Sequence, residues 1–188
     1  MKKKIVKITA NIVFYLVAIF LASYFVVNLI IPDKTVSIFG FKTYIIISPS
    51  MAPTFNVGDA VMVTKVDPED LNPDDIISFK VYLKDLGDEA VVTHYLGETQ
   101  TIGDEVIYKT HGEGDIVYDK WVDENDNPIE ITEDMIIGRV AFNIPKGGNF
   151  FLMFQDPVML LLIALNIGVI VFIVAYYKKN RKKPDKTD

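Results

Sequence analysis

Residues 8–32 carry no charge, and almost every position from 12 to 31 is Ile, Val, Leu, Phe, Ala or Tyr. Wound as a helix, a run of that length and apolarity is enough to cross a hydrocarbon core of about 30 Å. A second uncharged run fills 157–177, reads VMLLLIALNIGVIVFIVA in its middle and closes on Tyr176 and Tyr177, whose amphipathic rings suit the headgroup level. The two runs predict transmembrane helices over 9–31 and 158–177. Between them the pattern shortens to β-branched and aromatic runs at 61–66, 76–81, 90–95, 105–110 and 136–142. These are punctuated by Asn56 and Gly58, by Asn72 and Pro73, by Gly103 and Asp104, and by Lys146, Gly147 and Gly148. No longer run there has a helical period, and only 68–71 reads as a single helical turn. The pattern therefore predicts a mostly β domain over 32–157 between two transmembrane α-helices, with basic tails at 1–8 and 178–188.

Charge gives this layout a direction. The 188 residues hold 19 Lys and Arg against 25 Asp and Glu. The ends, 1–31 and 158–188, carry 10 basic and 2 acidic residues, whereas 32–157 carries 9 basic and 23 acidic. Lys2, Lys3, Lys4 and Lys7 precede the first span, and Lys178, Lys179, Arg181, Lys182 and Lys183 follow the second. The positive-inside bias puts both flanks in the cytoplasm and the acidic middle outside, as in a multi-pass protein of the cell membrane. A cleaved signal peptide over 1–31 fits less well, because the apolar stretch exceeds the usual span of about 7–15 residues and lacks an A-x-A site. So acidic a middle repels phosphate backbones, which argues against a nucleic-acid partner. Its many Ile, Val, Phe and Tyr residues exclude a disordered polyanion. Cysteine is absent, which removes disulfides, thiolate metal sites and a cysteine nucleophile.

The chemistry concentrates in 45–59, IIISPSMAPTFNVGD. Pro49 and Pro53 fix φ near about −65° and cannot donate, so the turn between them is stiff and holds the Ser50 hydroxyl in place. Ser and Pro are also ordinary turn residues. A serine nucleophile needs an adjacent base, and the two histidines are His94, in the strand-like VVTHY, and His111. Beyond them, the Gly-rich stretch from Thr110 to Asp119 carries Glu113, Asp115 and Asp119, one of which can orient the base. Asp123, Asn125 and Asn127 have the first oxygen spacings of a calcium loop, but Pro128 stands where the sharp turn wants Gly and Asp134 where a bidentate Glu is usual. A solvated acidic hairpin tip is the better reading, and no metal is expected.

Taken together, Ser48, Ser50, Met51, Pro53 and Thr54, followed by Gly58 and Asp59, resemble the S-x-S-M-x-P-T…GD box of type I signal peptidases. The likeness continues in order. Asp75 to Phe79 resembles the family's GDIIxF strand, and Thr93 with His94 resembles its base-bearing box. The stretch from Thr110 to Asp119 resembles its T-K-G-D-x-N…D loop, and Ile137 to Val140, with Ile144 and Pro145, its GKV…IP segment. It covers most of 44–145. Histidine where bacterial housekeeping members carry lysine resembles the Ser/His subtype of the endoplasmic reticulum, archaea and some Gram-positive bacteria.

The resemblance implies a signal-peptidase-like β-rich catalytic domain and a membrane-bound serine endopeptidase. Such an enzyme removes signal peptides from secreted precursors after small residues and needs no cofactor. Its partners would be signal-peptide-bearing precursors and the lipid bilayer. Carried over by position, Ser50 is the nucleophile, His94 the general base, and Asp119 the acidic partner completing the triad. Ser48, with the Ser50 N–H, supports the oxyanion. Met51, Pro53 and Thr54 shape the groove. Two departures stand out. Pro49 replaces the commoner Gly, and His111-Gly112-Glu113 replaces K-G-D, so that Glu113 and Asp115 both compete for the first acidic position. The rival expectations are a two-span, non-catalytic β module for adhesion or assembly, and a self-cleaving Ser/Lys protein. The second is weakened because Lys80 and Lys84, the nearest lysines, lie on an ordinary charged strand and turn.

Overall fold

The computed structural model describes residues 2–103, 105–153 and 157–180. Arg181, Lys182 and Lys183 of the predicted basic tail lie outside the described residues, as does the 154–156 end of the predicted β domain. Helix α1 runs Lys2–Ile30, and its Ile8–Ile30 stretch is long and apolar enough to cross a membrane, mostly exposed and packed against the rest of the chain only near its C-terminal end. At 1.5 Å per residue it spans about 34 Å. Helix α4, Pro157–Asn180, covers the second predicted span, but its described apolar stretch is the shorter Leu165–Lys178. Among the described residues, α1 alone meets the length and apolarity that crossing requires.

A 3-10 turn, Pro32–Lys34, and the five-residue α2, Thr35–Phe39, join α1 to the β domain. Tyr24 of α1 packs between Phe39 and Phe41, at ring separations of 5.1 and 5.4 Å. Lys80 pairs with Asp33 just beyond the helix, so aromatic packing and charge both dock the sheet at its end.

The predicted strands are all present, as β2 (Ala60–Thr64), β3 (Ile76–Leu83), β4 (Asp88–Ile102), β5 (Glu105–His111) and β8 (Ile136–Ile144). With β1 (Phe41–Ile45) they form one antiparallel six-stranded sheet in the order β1-β2-β8-β3-β4-β5. A two-stranded hairpin, β6 (Trp121–Val122) and β7 (Pro128–Ile129), stands beside it, and its tip is the acidic 123–127 segment. There the Asp123 carboxylate accepts the Asn127 amide and the backbone N–H groups of Asn127 and Asn125, the first foremost, which holds its pKa below the usual range. Strand β4 runs well past the predicted 90–95. A register shift against β5 between Leu96 and Glu98 bends it there, and its second half is too polar for the apolar pattern to reveal.

Gly147 and Gly148, read from sequence as turn punctuation, instead open the short helix α3, Gly147–Met153. Close packing is the reason: a Cβ on Gly148 would meet Ile45 Cγ2 at 2.6 Å and the Gly58 carbonyl oxygen at 2.7 Å. Alternation along the strands feeds two buried clusters, one built on Ile77, Phe79, Val81, Leu96, Tyr108 and Ile131, the other on Ile46, Met51, Phe55, Val61 and Val63. The second cluster bears on the site, because Met51 and Phe55 belong to the serine turn. Burying side chains of that size contributes roughly 1.5–3 kcal/mol each.

Asp59 straps the end of that turn to the end of β8. It is 4% exposed and accepts the N–H groups of Asn56 at 3.0 Å and Lys146 at 2.8 Å, and the Asn143 amide at 3.3 Å. These donors, the Asn56 N–H foremost, hold its carboxyl below the usual range. A depressed carboxyl contributes stability that is complete above the unfolded value of about 3.9 and is lost as pH falls through the folded value. Asp59→Asn is therefore expected to lower the unfolding free energy by about 2 kcal/mol at neutral pH. The difference should close as the medium is acidified below about pH 4. Urea titration of both proteins in detergent checks this, and equal stabilities at neutral pH would remove the strap from the account.

Candidate active site

Beyond β1 the chain leaves the sheet at Ile46 and returns at Asp59, and two backbone bonds close the base of this excursion, Ile46 N–H to Asp59 C=O at 2.9 Å and Gly58 N–H to Ile46 C=O at 2.8 Å. Inside it, Ala52 N–H reaches Pro49 C=O and Phe55 N–H reaches Met51 C=O, at 2.9 and 2.7 Å. With Met51 and Phe55 sunk in the core, Ser48 and Ser50 are left exposed, their hydroxyl oxygens 3.2 Å apart. Two adjacent hydroxyls at an exposed, anchored turn suit one as nucleophile and the other as donor to a developing negative charge.

His94 sits on β4 opposite Ile77 of β3 and is 7% exposed. Its Nδ1 lies 2.8 Å from Asp119 Oδ2. The same oxygen accepts the Thr110 hydroxyl at 2.7 Å, the Asp119 N–H returns to the Thr110 carbonyl at 2.7 Å, and the Trp121 indole N–H donates to the Thr110 hydroxyl at 3.1 Å. Trp121 also packs its ring 5.9 Å from that of His94 and 5.4 Å from that of Phe79. A carboxylate can only accept, so neutral His94 carries its proton on Nδ1 and leaves Nε2 with a free lone pair, the tautomer a general base requires.

Of the three candidate carboxylates, Asp119 is the one placed against His94. Glu113 takes the hydroxyls of Thr54 and Tyr95 instead, while its backbone N–H donates to the Ser50 carbonyl at 2.9 Å. Asp115 is exposed and folds back over Gly112. His111, the other histidine, donates from Nδ1 to the Gly112 carbonyl at 2.8 Å and stacks on Tyr95 at 5.5 Å. The serine pair and the His94–Asp119 pair are thus held by one loop, 112–119, which touches Ser50 near its start and His94 at its end. Among the described residues, the Ser50 hydroxyl bonds to Ser48 and no hydrogen bond joins it to His94. Such bonds are commonly long before substrate arrives. Ser48, Ser50 and Thr93, the neighbour of His94, line one cleft of about 290 Å³ whose walls are 44–51 and the β3–β4 hairpin. Thr110, Tyr95 and Trp121 escape the sequence reading as site residues. Two of them carry a signal: Thr110 opens the stretch that resembles the family's acidic loop, and Trp121 is the chain's single tryptophan, two residues beyond Asp119.

No protein-family model matches the chain. Over 84 residues it is 30% identical to Signal peptidase I W of Bacillus subtilis (strain 168), which is 44% of this chain and 42% of that protein. This chain is distantly similar to a signal peptidase. The match spans less than half of that relative's length, and it supports the signal-peptidase resemblance at the level of the family rather than of the Ser/His subtype.

Proposed function

We propose that this protein is a membrane-bound serine endopeptidase of the Ser/His type that removes signal peptides from secreted precursors. The observation that carries the reading is the single loop 112–119, which anchors the serine turn through Ser50 and orients the base through Asp119. The precursor lies extended in the cleft between 46–48 and 90–93, pairing its backbone with these segments, and small residues before the cut fit beside Ser50. His94 Nε2 takes the Ser50 proton as the oxygen attacks the scissile carbonyl, and the resulting imidazolium is stabilised by Asp119. The Ser48 hydroxyl and the Ser50 N–H hold the oxyanion, worth roughly 3 kcal/mol per donor. Collapse passes the proton to the leaving amine and frees the mature chain. A water activated by His94 then hydrolyses the acyl-enzyme. Every step uses protein groups and water alone.

The domain works on the outer face, with α1 and α4 spanning the membrane and both termini in the cytoplasm, a layout that the basic flanks support. Incubating the purified protein in detergent with a panel of precursors tests the activity, and cleavage at the signal-peptide junction is the expected result. No cleavage of any precursor, or cuts scattered through the mature chain, would overturn it. Protease added to intact cells should digest the segment between the helices and spare tags on both termini. The reverse pattern would place the site on the wrong side.

A further inference from the structure

We propose that Glu113 is a positioning residue for the nucleophile, clamping the Ser50 turn to strand β4 through Thr54 and Tyr95. The proposal rests on the serine endopeptidase reading above. Three contacts converge on this one residue. Its N–H donates to the Ser50 carbonyl at 2.9 Å, and its Oε2 accepts both the Thr54 hydroxyl and the Tyr95 hydroxyl, the latter at 3.0 Å. Tyr95 also reaches the Thr54 hydroxyl at 3.2 Å, closing the triangle. Thr54 lies four residues beyond Ser50 on the same turn, and Tyr95 follows the base on β4. The clamp therefore fixes the serine-bearing segment at two points against the strand that carries His94.

Two features make the approach possible and keep it rigid. Gly112 has no side chain, and a Cβ there would stand 2.9 Å from the Ser50 carbonyl oxygen. The Tyr95 ring is stacked nearly parallel, at 17°, on His111, which is itself bonded to the Gly112 carbonyl. A role as partner of the base is already taken, since Asp119 occupies His94 Nδ1. Among the described residues Glu113 forms no ion pair, and its Oε2 serves the two hydroxyls. A misplacement of reacting atoms by about 1 Å can cost on the order of 10²-fold in rate, and the clamp limits that freedom for Ser50.

Steady-state cleavage of a precursor by the full-length protein in detergent tests the clamp. Glu113→Ala is expected to lower kcat about 10- to 100-fold with KM nearly unchanged. Glu113→Gln, which keeps an acceptor oxygen, is expected to restore most of that loss. The acid limb of the pH–rate profile should stay in place in both, because the His94–Asp119 pair is untouched. Wild-type kcat in Glu113→Ala, a loss carried by KM alone, or a displaced acid limb would each overturn the proposal. Should Glu113→Ala fail to fold, Tyr95→Phe and Thr54→Val each remove one hydroxyl without leaving a void. Each should lower kcat several-fold, and the double variant should lose less than the product of the two. Multiplying losses, or none, would overturn it equally. Cleavage by Ser50→Ala at the wild-type rate would instead refute the endopeptidase reading itself, whatever Glu113 does.

Discussion

Ser50→Ala is expected to reduce precursor cleavage at least about 10⁴-fold, since without the hydroxyl no acyl-enzyme forms and only binding and oxyanion stabilisation remain. The fold should be indifferent to the change. The Ser50 side chain is exposed and bonds only to the equally exposed Ser48 hydroxyl among the described residues, and its link to Glu113 runs through the backbone carbonyl. Thermal unfolding within about 2 °C of wild type, measured beside the cleavage rate, separates loss of chemistry from loss of structure. Ser48→Ala should cost less, about 10²-fold, because the Ser50 N–H still faces the oxyanion. Wild-type cleavage by Ser50→Ala would end the serine mechanism.

Asp119→Asn is expected to lower kcat by about 10²- to 10⁴-fold while KM holds. The carboxylate accepts from both His94 Nδ1 and the Thr110 hydroxyl. An amide with its nitrogen in the place of that shared oxygen offers an N–H to Nδ1, forcing the proton onto Nε2 where the base must be free, and one with its oxygen there keeps both bonds but carries no charge to stabilise the imidazolium. His94→Ala should be at least as severe. Asp115→Asn should be mild, since that side chain lies over Gly112 rather than against His94. A near-neutral Asp119→Asn beside a crippling Asp115→Asn would show that the loop rearranges with substrate bound and that the wrong carboxylate has been paired with the base.

Much of the fold is legible in the sequence. An uncharged apolar run declares a helix suited to lipid wherever it lies, because solvation depends on local composition; 8–30 did so plainly. Strands declare themselves by short β-branched runs between turn residues, and 61–66, 76–81, 90–95, 105–110 and 136–142 all fell inside or against observed strands. The hairpin β6–β7 shows in the pattern only as its acidic tip at 123–127, the bounds of β1 do not show, and the helix α3 escapes it. Two residues are too few for a period, and Gly147 and Gly148 look like a turn unless the backbone of Gly58 is known to lie against them. Ser48, Ser50 and His94 were legible as candidates from residue type and order along the chain.

The sequence alone establishes which residue types could react; by type three carboxylates could orient the base, and the family resemblance points to Asp119. Strand register is what places Asp119, rather than Glu113 or Asp115, against His94. Pairing Tyr95 with His111, and Leu96 with Thr110, brings the end of β5 beside His94, so that the loop leaving β5 must return across it. Asp119 arrives there 25 residues downstream of its partner, and Glu113 meets Thr54 across a separation of 59. No periodicity encodes such distances. A local pattern records whether a side chain faces core or solvent, whereas a hydrogen bond between distant segments depends on how the whole sheet is ordered and where β4 bends.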